Sequence, residues 1–298
     1  GDSAVVRIHG KNKGVSLTVD SAADYCLADP LIGGKLVVCE AWRNLISSGA
    51  HPLAITNCLN FGNPEKEEIM GQFVEVINGI AQACEYLNFP VVSGNVSFYN
   101  ETQNKAISPT PTIGGVGLIK NLDDMITKDF KEIGSYILIL GKTSGHLFQS
   151  EFFKEVVKTT NGPPPEINLF NEKNNGETIL NLIDKNYVKS VHDISLGGIM
   201  IAVAKMCIKG KKGIKLKKPN YLINQFEYFF GEDQGRYIIE IEKENFDKIK
   251  EILDKSSIHY DMLGIITESD IFIDSKSKVT IDELISSNTS WLTSYMSK

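Results

Sequence analysis

A chain of 298 residues suits one large or two medium domains, and its 42% apolar residues supply a core. Its 23% charged residues sum to a net charge of −6, so there is no basic excess to neutralise a phosphate backbone, and nucleic acid is not expected as a partner. No run reaches the roughly 18 apolar residues of a membrane span, so no membrane partner is expected either.

The chain opens on GDSAVVRIHG, without Met or signal peptide and directly in a strand pattern, which predicts a segment of a longer polypeptide. Residues 3–9 and 15–20 run apolar on either side of Gly10 and Gly14 and predict a strand pair. Apolar positions at helical spacing predict a helix over 33–49 that stops at Gly49. Residues 52–62 begin as a strand and end in a polar, glycine-bearing loop. The longest helix is predicted over 65–88, with Glu65, Glu67 and Glu68 in the first turn where the helix dipole favours them. A short strand at 89–94 and a glycine-rich strand at 112–119 follow. The acidic, lysine-bearing stretch 120–133 reads as a connector, which divides the chain into domains at 1–125 and 130–298. Beyond it come a strand at 135–143, a proline-rich break at 162–169, a helix at 177–187, a strand at 188–193, a helix at 197–209, a strand at 237–242, a helix at 243–255 and a final strand at 259–266. Both halves mix the two element types, so the class expected is α+β rather than a doubly wound sheet. No glycine-rich dinucleotide fingerprint and no Walker A lysine is present. The five cysteines, Cys26, Cys39, Cys58, Cys84 and Cys207, lack CxxC spacing and are odd in number, which predicts reduced thiols in a cytoplasmic protein.

Several polar groups sit where burial makes them costly. Glu40 and Asn44 are four apart and share a helix face. Alone they read as a solvated stripe, but Val38, Cys39, Ala41 and Leu45 beside them are apolar, and a carboxylate there needs a partner. Asp20 and Asp193 end apolar strands. Oxygen donors of this kind suit Mg²⁺. In VHDISLGG (191–198), Gly197 and Gly198 open an apolar helix, as an anion site would, or as capping by Asp193 or Ser195 with close packing would. His192 reads as a hydrogen-bonded structural residue. Asn57, Asn60 and Asn63 around Gly62 fit either Asx turns or an amide grip on a purine or phosphate. Arg236 in FGEDQGR offers a phosphate fork or a salt bridge to Glu232 or Asp233. The stretch VVSGNVSFYNE (91–101) collects a glycine, amides, a hydroxyl and an acid at the end of an apolar strand.

Taken in order, ITNCLNFGNPEK, VVSGNVSFYNET, PTPTIGGVGLI, VHDISLGGI and FFGEDQGRY resemble the second half of phosphoribosylformylglycinamidine synthases of the smaller, multi-subunit type. The wider superfamily includes aminoimidazole ribonucleotide synthetase and selenophosphate synthetase. The likeness implies an α+β sheet domain followed by an α/β sandwich domain, a pair that the full enzyme repeats as two pseudo-symmetric halves. It implies the ATP- and glutamine-dependent conversion of formylglycinamide ribonucleotide to formylglycinamidine ribonucleotide in purine synthesis. The formamide oxygen is phosphorylated, and ammonia then displaces phosphate. By the same likeness Asn57, Gly94, Gly197 and Gly198 face ATP, Ser97 contacts substrate, and Asn95 ligates Mg²⁺. Asp20, Glu40, Asn44 and Asp193 match the residues around a metal-bound auxiliary nucleotide, ADP with Mg²⁺, in larger relatives. Asn57 stands where the family has an aspartate, so one charge is missing. The partners implied are a glutaminase subunit, a small accessory subunit and the first half of the same polypeptide, with a homodimer as a further arrangement. The family's catalytic histidine and principal ATP lysine lie in that first half, so no catalytic residue is assigned here and the isolated chain is expected to bind nucleotide without turnover. The alternative is a structural half carrying a non-catalytic magnesium–nucleotide site.

Overall fold

The computed structural model describes residues 1–219, 221–273 and 277–297. The opening apolar runs pair antiparallel as β1 (Ala4–Arg7) and β2 (Gly14–Ser21), with Val6 opposite Val15. A short α1 (Ala23–Ala28) leads into α2 (Pro30–Ile46), where the Asp29 side chain accepts from the Ile32 N–H at 3.0 Å and Pro30 occupies the first turn. Then come β3 (His51–Asn60), α3 (Glu67–Leu87) and β4 (Val91–Ser97), a two-strand ribbon β5 (Glu101–Thr102) and β6 (Lys105–Ala106), and β7 (Thr110–Ile119).

These strands form a five-stranded sheet in the order β1-β2-β7-β3-β4. Only β3 and β4 run parallel, which is what the α3 crossover between them requires. Helices α2 and α3 cover one face and approach closely at two glycines. A Cβ on Gly34 would sit 2.4 Å from the Val76 carbonyl oxygen, and one on Gly79 would sit 2.1 Å from that of Leu31.

After the connector the chain builds a second sheet from β8 (Tyr136–Leu140), β9 (Ser190–Ile194), β10 (Gly213–Leu216), β11 (Arg236–Ile241), β12 (Tyr260–Thr267), β13 (Ile271–Phe272) and β14 (Lys278–Val279). Its order is β14-β13-β10-β12-β8-β11-β9. The helices are α4 (Leu169–Asp184), α5 (Gly198–Gly210), α6 (Gln225–Phe230), α7 (Phe246–Lys255) and α8 (Ile281–Met296). The two mixed, largely antiparallel sheets with helices beside them make an α+β fold.

One core joins the layers. Trp42 of α2, Ile179 of α4, and Leu138 and Tyr237 of the second sheet belong to the same buried cluster. Gly176 makes this possible, because a Cβ there would meet the Trp42 ring at 2.2 Å.

The sequence expectations differ in places. The strand expected over 259–266 is not the last element, since β13, β14 and α8 follow it. The short α1, β10 and α6 carry too few residues to show a period. All five thiols are free, and only Cys58 is exposed. Among the described residues, no helix is long and apolar enough to cross a membrane.

Candidate metal and nucleotide site

Asp20 lies one residue from the end of β2 and points to the helix-covered side. Its Oδ1 accepts from Asn44 Nδ2 at 2.8 Å and its Oδ2 accepts from the Thr18 hydroxyl at 2.8 Å. Asn44 is one helical turn beyond Glu40, so α2 presents both toward Asp20. Glu40 is hydrogen-bonded by the Ser195 hydroxyl, which follows β9. Asp193 of β9 completes the group, with its Oδ2 3.9 Å from Arg43 Nε. Thus Asp20, Glu40 and Asn44 from the first sheet layer and Asp193 from the second come together.

The electrostatics are those of an underneutralised cluster. Burial, opposed by the Thr18 and Asn44 hydrogen bonds and reinforced by Asp193, pushes Asp20 up to about 6. Burial, with Asp193 and Asp20 as neighbouring negative charges, pushes Glu40 up to about 8. Burial also raises Asp193. Arg43 lies at the edge of this group, but its Nη1 is 2.8 Å from Glu172 Oε1 and its Nη2 donates to Gln234 Oε1 at 2.9 Å. Asp193 Oδ2 is buried with no hydrogen-bond partner. A buried orphan carboxylate oxygen beside two further carboxylates and an amide fits a hard divalent cation.

A second group lies across the same sheet. Asp20 pairs with Ile113, Ile113 with Asn57, and Asn57 with Gly94, so the four form one cross-strand row. Paired residues face the same side, and two strand spacings put Asp20 and Asn57 on the order of 10 Å apart. The Asn57 amide lies over Gly94, where a Cβ would come within 2.1 Å of Asn57 Oδ1. Ser97 ends β4 and donates to Asn100 Oδ1 at 3.3 Å.

Two expectations are corrected. Asn95 does not join the Asp20 cluster. It is adjacent to Gly94 on β4 and therefore faces the opposite side of the sheet, where its amide is 3.9 Å from Cys58 Sγ. Nor are Gly197 and Gly198 an open anion cradle. The Gly197 N–H donates to Glu232 Oε1 at 2.7 Å, and the Gly198 N–H to the Ser195 carbonyl at 3.0 Å. Gly198 instead allows close packing, since a Cβ would sit 2.7 Å from the Gly231 carbonyl oxygen at a φ of +66°. For Arg236 the salt-bridge alternative holds: Nη1 lies 3.7 Å from Asp233 Oδ2 and donates to Thr143 Oγ1 at 3.0 Å, while Nη2 donates to the Gly231 carbonyl at 2.7 Å and Nε to the Asp233 carbonyl at 2.9 Å.

Sequence reasoning missed Arg43, Glu172 and Asp2. Arg43 carried a signal, being a charge three residues from Glu40 inside an otherwise apolar helix. Glu172 and Asp2 carried none, because their partners are distant along the chain.

Residues 1–119 match the AIR synthase related protein N-terminal domain, and residues 132–274 match its C-terminal domain. The chain is 63% identical over 296 residues to the phosphoribosylformylglycinamidine synthase subunit PurL of Pelagibacter ubique, covering 99% of this chain and 40% of that one. It is 44% identical over 297 residues to the same subunit of Bradyrhizobium diazoefficiens, with the same coverage. It spans about 40% of the length of these curated relatives. Among solved structures, it superposes on Thermotoga maritima PurL complexed with ATP with a TM-score of 0.76 at 19% identity, covering 95% of this chain and 46% of that one. On T. maritima PurL complexed with FGAR the TM-score is 0.79 at 18% identity, covering 95% and 47%.

Proposed function

From a chain that belongs to the AIR synthase related protein family, an N-terminal followed by a C-terminal domain, we infer one half of a phosphoribosylformylglycinamidine synthase. The complete enzyme amidates formylglycinamide ribonucleotide with ATP and with ammonia released from glutamine by a partner subunit. The observation that carries this reading beyond family membership is the meeting of Asp20, Glu40, Asn44 and Asp193 across two sheet layers.

These residues would hold Mg²⁺ with the polyphosphate of ATP or ADP. The cation, when bound, would offset phosphate charge. The chain's own residues do the rest. Asn44 and Thr18 fix the Asp20 carboxylate, Ser195 fixes Glu40, and Arg43 stays committed to Glu172. The Asn57 amide, lodged over Gly94 in the same row, offers a polar contact to the rest of a nucleotide.

A second reading, a structural nucleotide site rather than a catalytic one, is favoured by burial: Asp193 is 2% exposed and Asn44 7% exposed, with Arg43 wholly enclosed behind them. A partner is also called for. The sheet face turned away from α2 and α3 carries Val6, Leu17 and Val19, exposed by 58%, 41% and 73%. Another sheet of this kind, from the first half of the polypeptide or from a second copy, would cover it.

Two measurements test the proposal. Mass spectrometry of nucleotide released from the purified protein should find ADP or ATP. Mixing the chain with the complementary half, the glutaminase and the accessory subunit should give ATP-dependent amidation, whereas the chain alone should give none. Turnover by the chain alone, or none in the mixture, overturns the assignment.

A further inference from the structure

The cluster around Asp193 extends one step further, to residues that the proposed cation would not touch. Asp2 precedes β1, Lys128 lies in the connector and His192 is on β9, so three separated parts of the chain meet here. Asp2 Oδ2 is 2.8 Å from His192 Nδ1, and Asp2 Oδ1 is 3.1 Å from Lys128 Nζ. The same His192 Nδ1 is 3.5 Å from Asp193 Oδ1. Asp2, His192 and Asp193 side chains are exposed by only 2%, 4% and 3%.

We propose that Asp2 and His192 are positioning residues for Asp193. The inference rests on the reading that Asp193 holds a cation. A carboxylate on an edge strand has rotamer freedom, and a ligand must be held in one rotamer to bind well. His192 Nδ1 stands 3.5 Å from Asp193 Oδ1, an ion-pair contact that limits where this oxygen can lie. Oδ2 is left buried and without a hydrogen-bond partner, on the side of Arg43 and Glu40. Asp2 in turn fixes the imidazole: with Nδ1 as the N–H, the ring donates to Asp2 Oδ2 and so holds that edge of the ring beside Asp193. Lys128 offsets part of the Asp2 charge, the remainder of which still raises Asp193.

The three groups also have ligand atoms close enough to surround a metal of their own. The Lys128 ammonium at 3.1 Å from Asp2 argues against that. It places a fixed positive charge where a second cation would have to be tolerated. An orienting role needs no second cation.

The geometry makes the test specific. In His192→Asn the side-chain amide nitrogen stands close to where Nδ1 stands. In His192→Gln it stands near the position of Nε2 instead. Mn²⁺ serves as the probe, in place of Mg²⁺, with free metal read by electron paramagnetic resonance on the intact chain. His192→Gln is expected to weaken Mn²⁺ binding about ten- to a hundred-fold, as loss of an outer-shell partner does, and Asp2→Asn to weaken it in the same direction. His192→Asn is expected to stay within about three-fold of the parent, as retention of the nitrogen beside Asp193 and of its bond to Asp2 implies. Because the two His192 variants remove the same ring, a merely structural role predicts equal losses. Equal losses, or tight binding by His192→Gln, overturn the proposal. A second Mn²⁺ equivalent that His192→Asn abolishes also overturns it, by making the dyad a ligand set. Asp193→Ala is the control: if it binds Mn²⁺ like the parent, the cation site itself fails, separately from the positioning claim.

Discussion

Arg43 Nη1 and Glu172 Oε1 meet at 2.8 Å with side chains 0% and 1% exposed, one from α2 beneath the first sheet and the other from α4 beside the second. This pair ties the two layers together at the edge of the carboxylate cluster. Gln234 shares the guanidinium, and Glu172 Oε2 has no hydrogen-bond partner.

Removing one member should therefore be worse than removing both. Glu172→Leu strands a buried guanidinium beside Asp193 and should cost about 3–5 kcal/mol of stability. Arg43→Met strands Glu172 and removes a cation that faces both Asp193 and Glu40, with a loss of the same order. The Arg43→Met/Glu172→Leu double variant should recover part of that loss. A double-mutant cycle by urea denaturation reads the coupling, and additive losses would show that the pair does not act as a unit.

The carboxylate cluster should make the cation-free protein pH-sensitive. Asp20 and Glu40 have folded pKa values of about 6 and about 8, against ordinary values of 3.8 and 4.5. Both are raised, so folding favours their protonated forms. That stability is fully present below about pH 4 and is lost as pH climbs through about 6 and then about 8, by an amount on the order of 1–3 kcal/mol after solvent screening. Thermal melts without divalent cation should thus fall across this window. Millimolar Mg²⁺ should flatten the slope, with its largest effect at the alkaline end, and Glu40→Gln should remove the upper part of the fall. A cation-free melting curve independent of pH would mean that the carboxylates are not held together.

How much of this was legible beforehand depended on the range of the interactions. Glu40 and Asn44 declared themselves because an i,i+4 polar pair inside an apolar helix is a local anomaly. The long strands and α3 declared themselves through period. Gly197 and Gly198 misled because a glycine-led helix start looks the same whether its N–H groups are free or already satisfied, and Glu232 is 35 positions from Gly197. Asn95 is parted from the cluster for a simpler reason. Alternation along β4 puts it on the other face from Gly94, and only the sheet register tells which face the cluster occupies.

Gly94 should not accept a side chain while Asn57 stays. A Cβ would lie 2.1 Å from Asn57 Oδ1 but 3.2 Å from the Asn57 carbonyl oxygen, so the collision is chiefly with a side chain. Gly94→Ala should cost about 1–3 kcal/mol and displace the amide. Adding Asn57→Ala should restore most of the stability without restoring nucleotide affinity, which separates packing from binding. Chemical denaturation and calorimetric titration with ADP and Mg²⁺ read the two quantities. A Gly94→Ala protein as stable as the parent would show that Asn57 is not lodged there.

Glu232 offers the sharpest test of why the α5 N-terminus is closed. Its side chain is 0% exposed and accepts from the Gly197 N–H at 2.7 Å, the Glu151 N–H at 2.8 Å and the Tyr25 hydroxyl. It thus supplies from within the chain the negative charge that a helix start favours. Glu232→Ala leaves three donors, two of them buried, without an acceptor and should lower stability by about 3 kcal/mol. Glu232→Gln keeps an oxygen for one or two of them and should lose less. The vacated position then resembles the anion cradle expected from the glycines alone. Inorganic sulfate should therefore raise the melting temperature of Glu232→Ala more than that of the parent. If sulfate shifts both equally, the carboxylate is not standing in for an anion, and its role is confined to capping and to holding Tyr25.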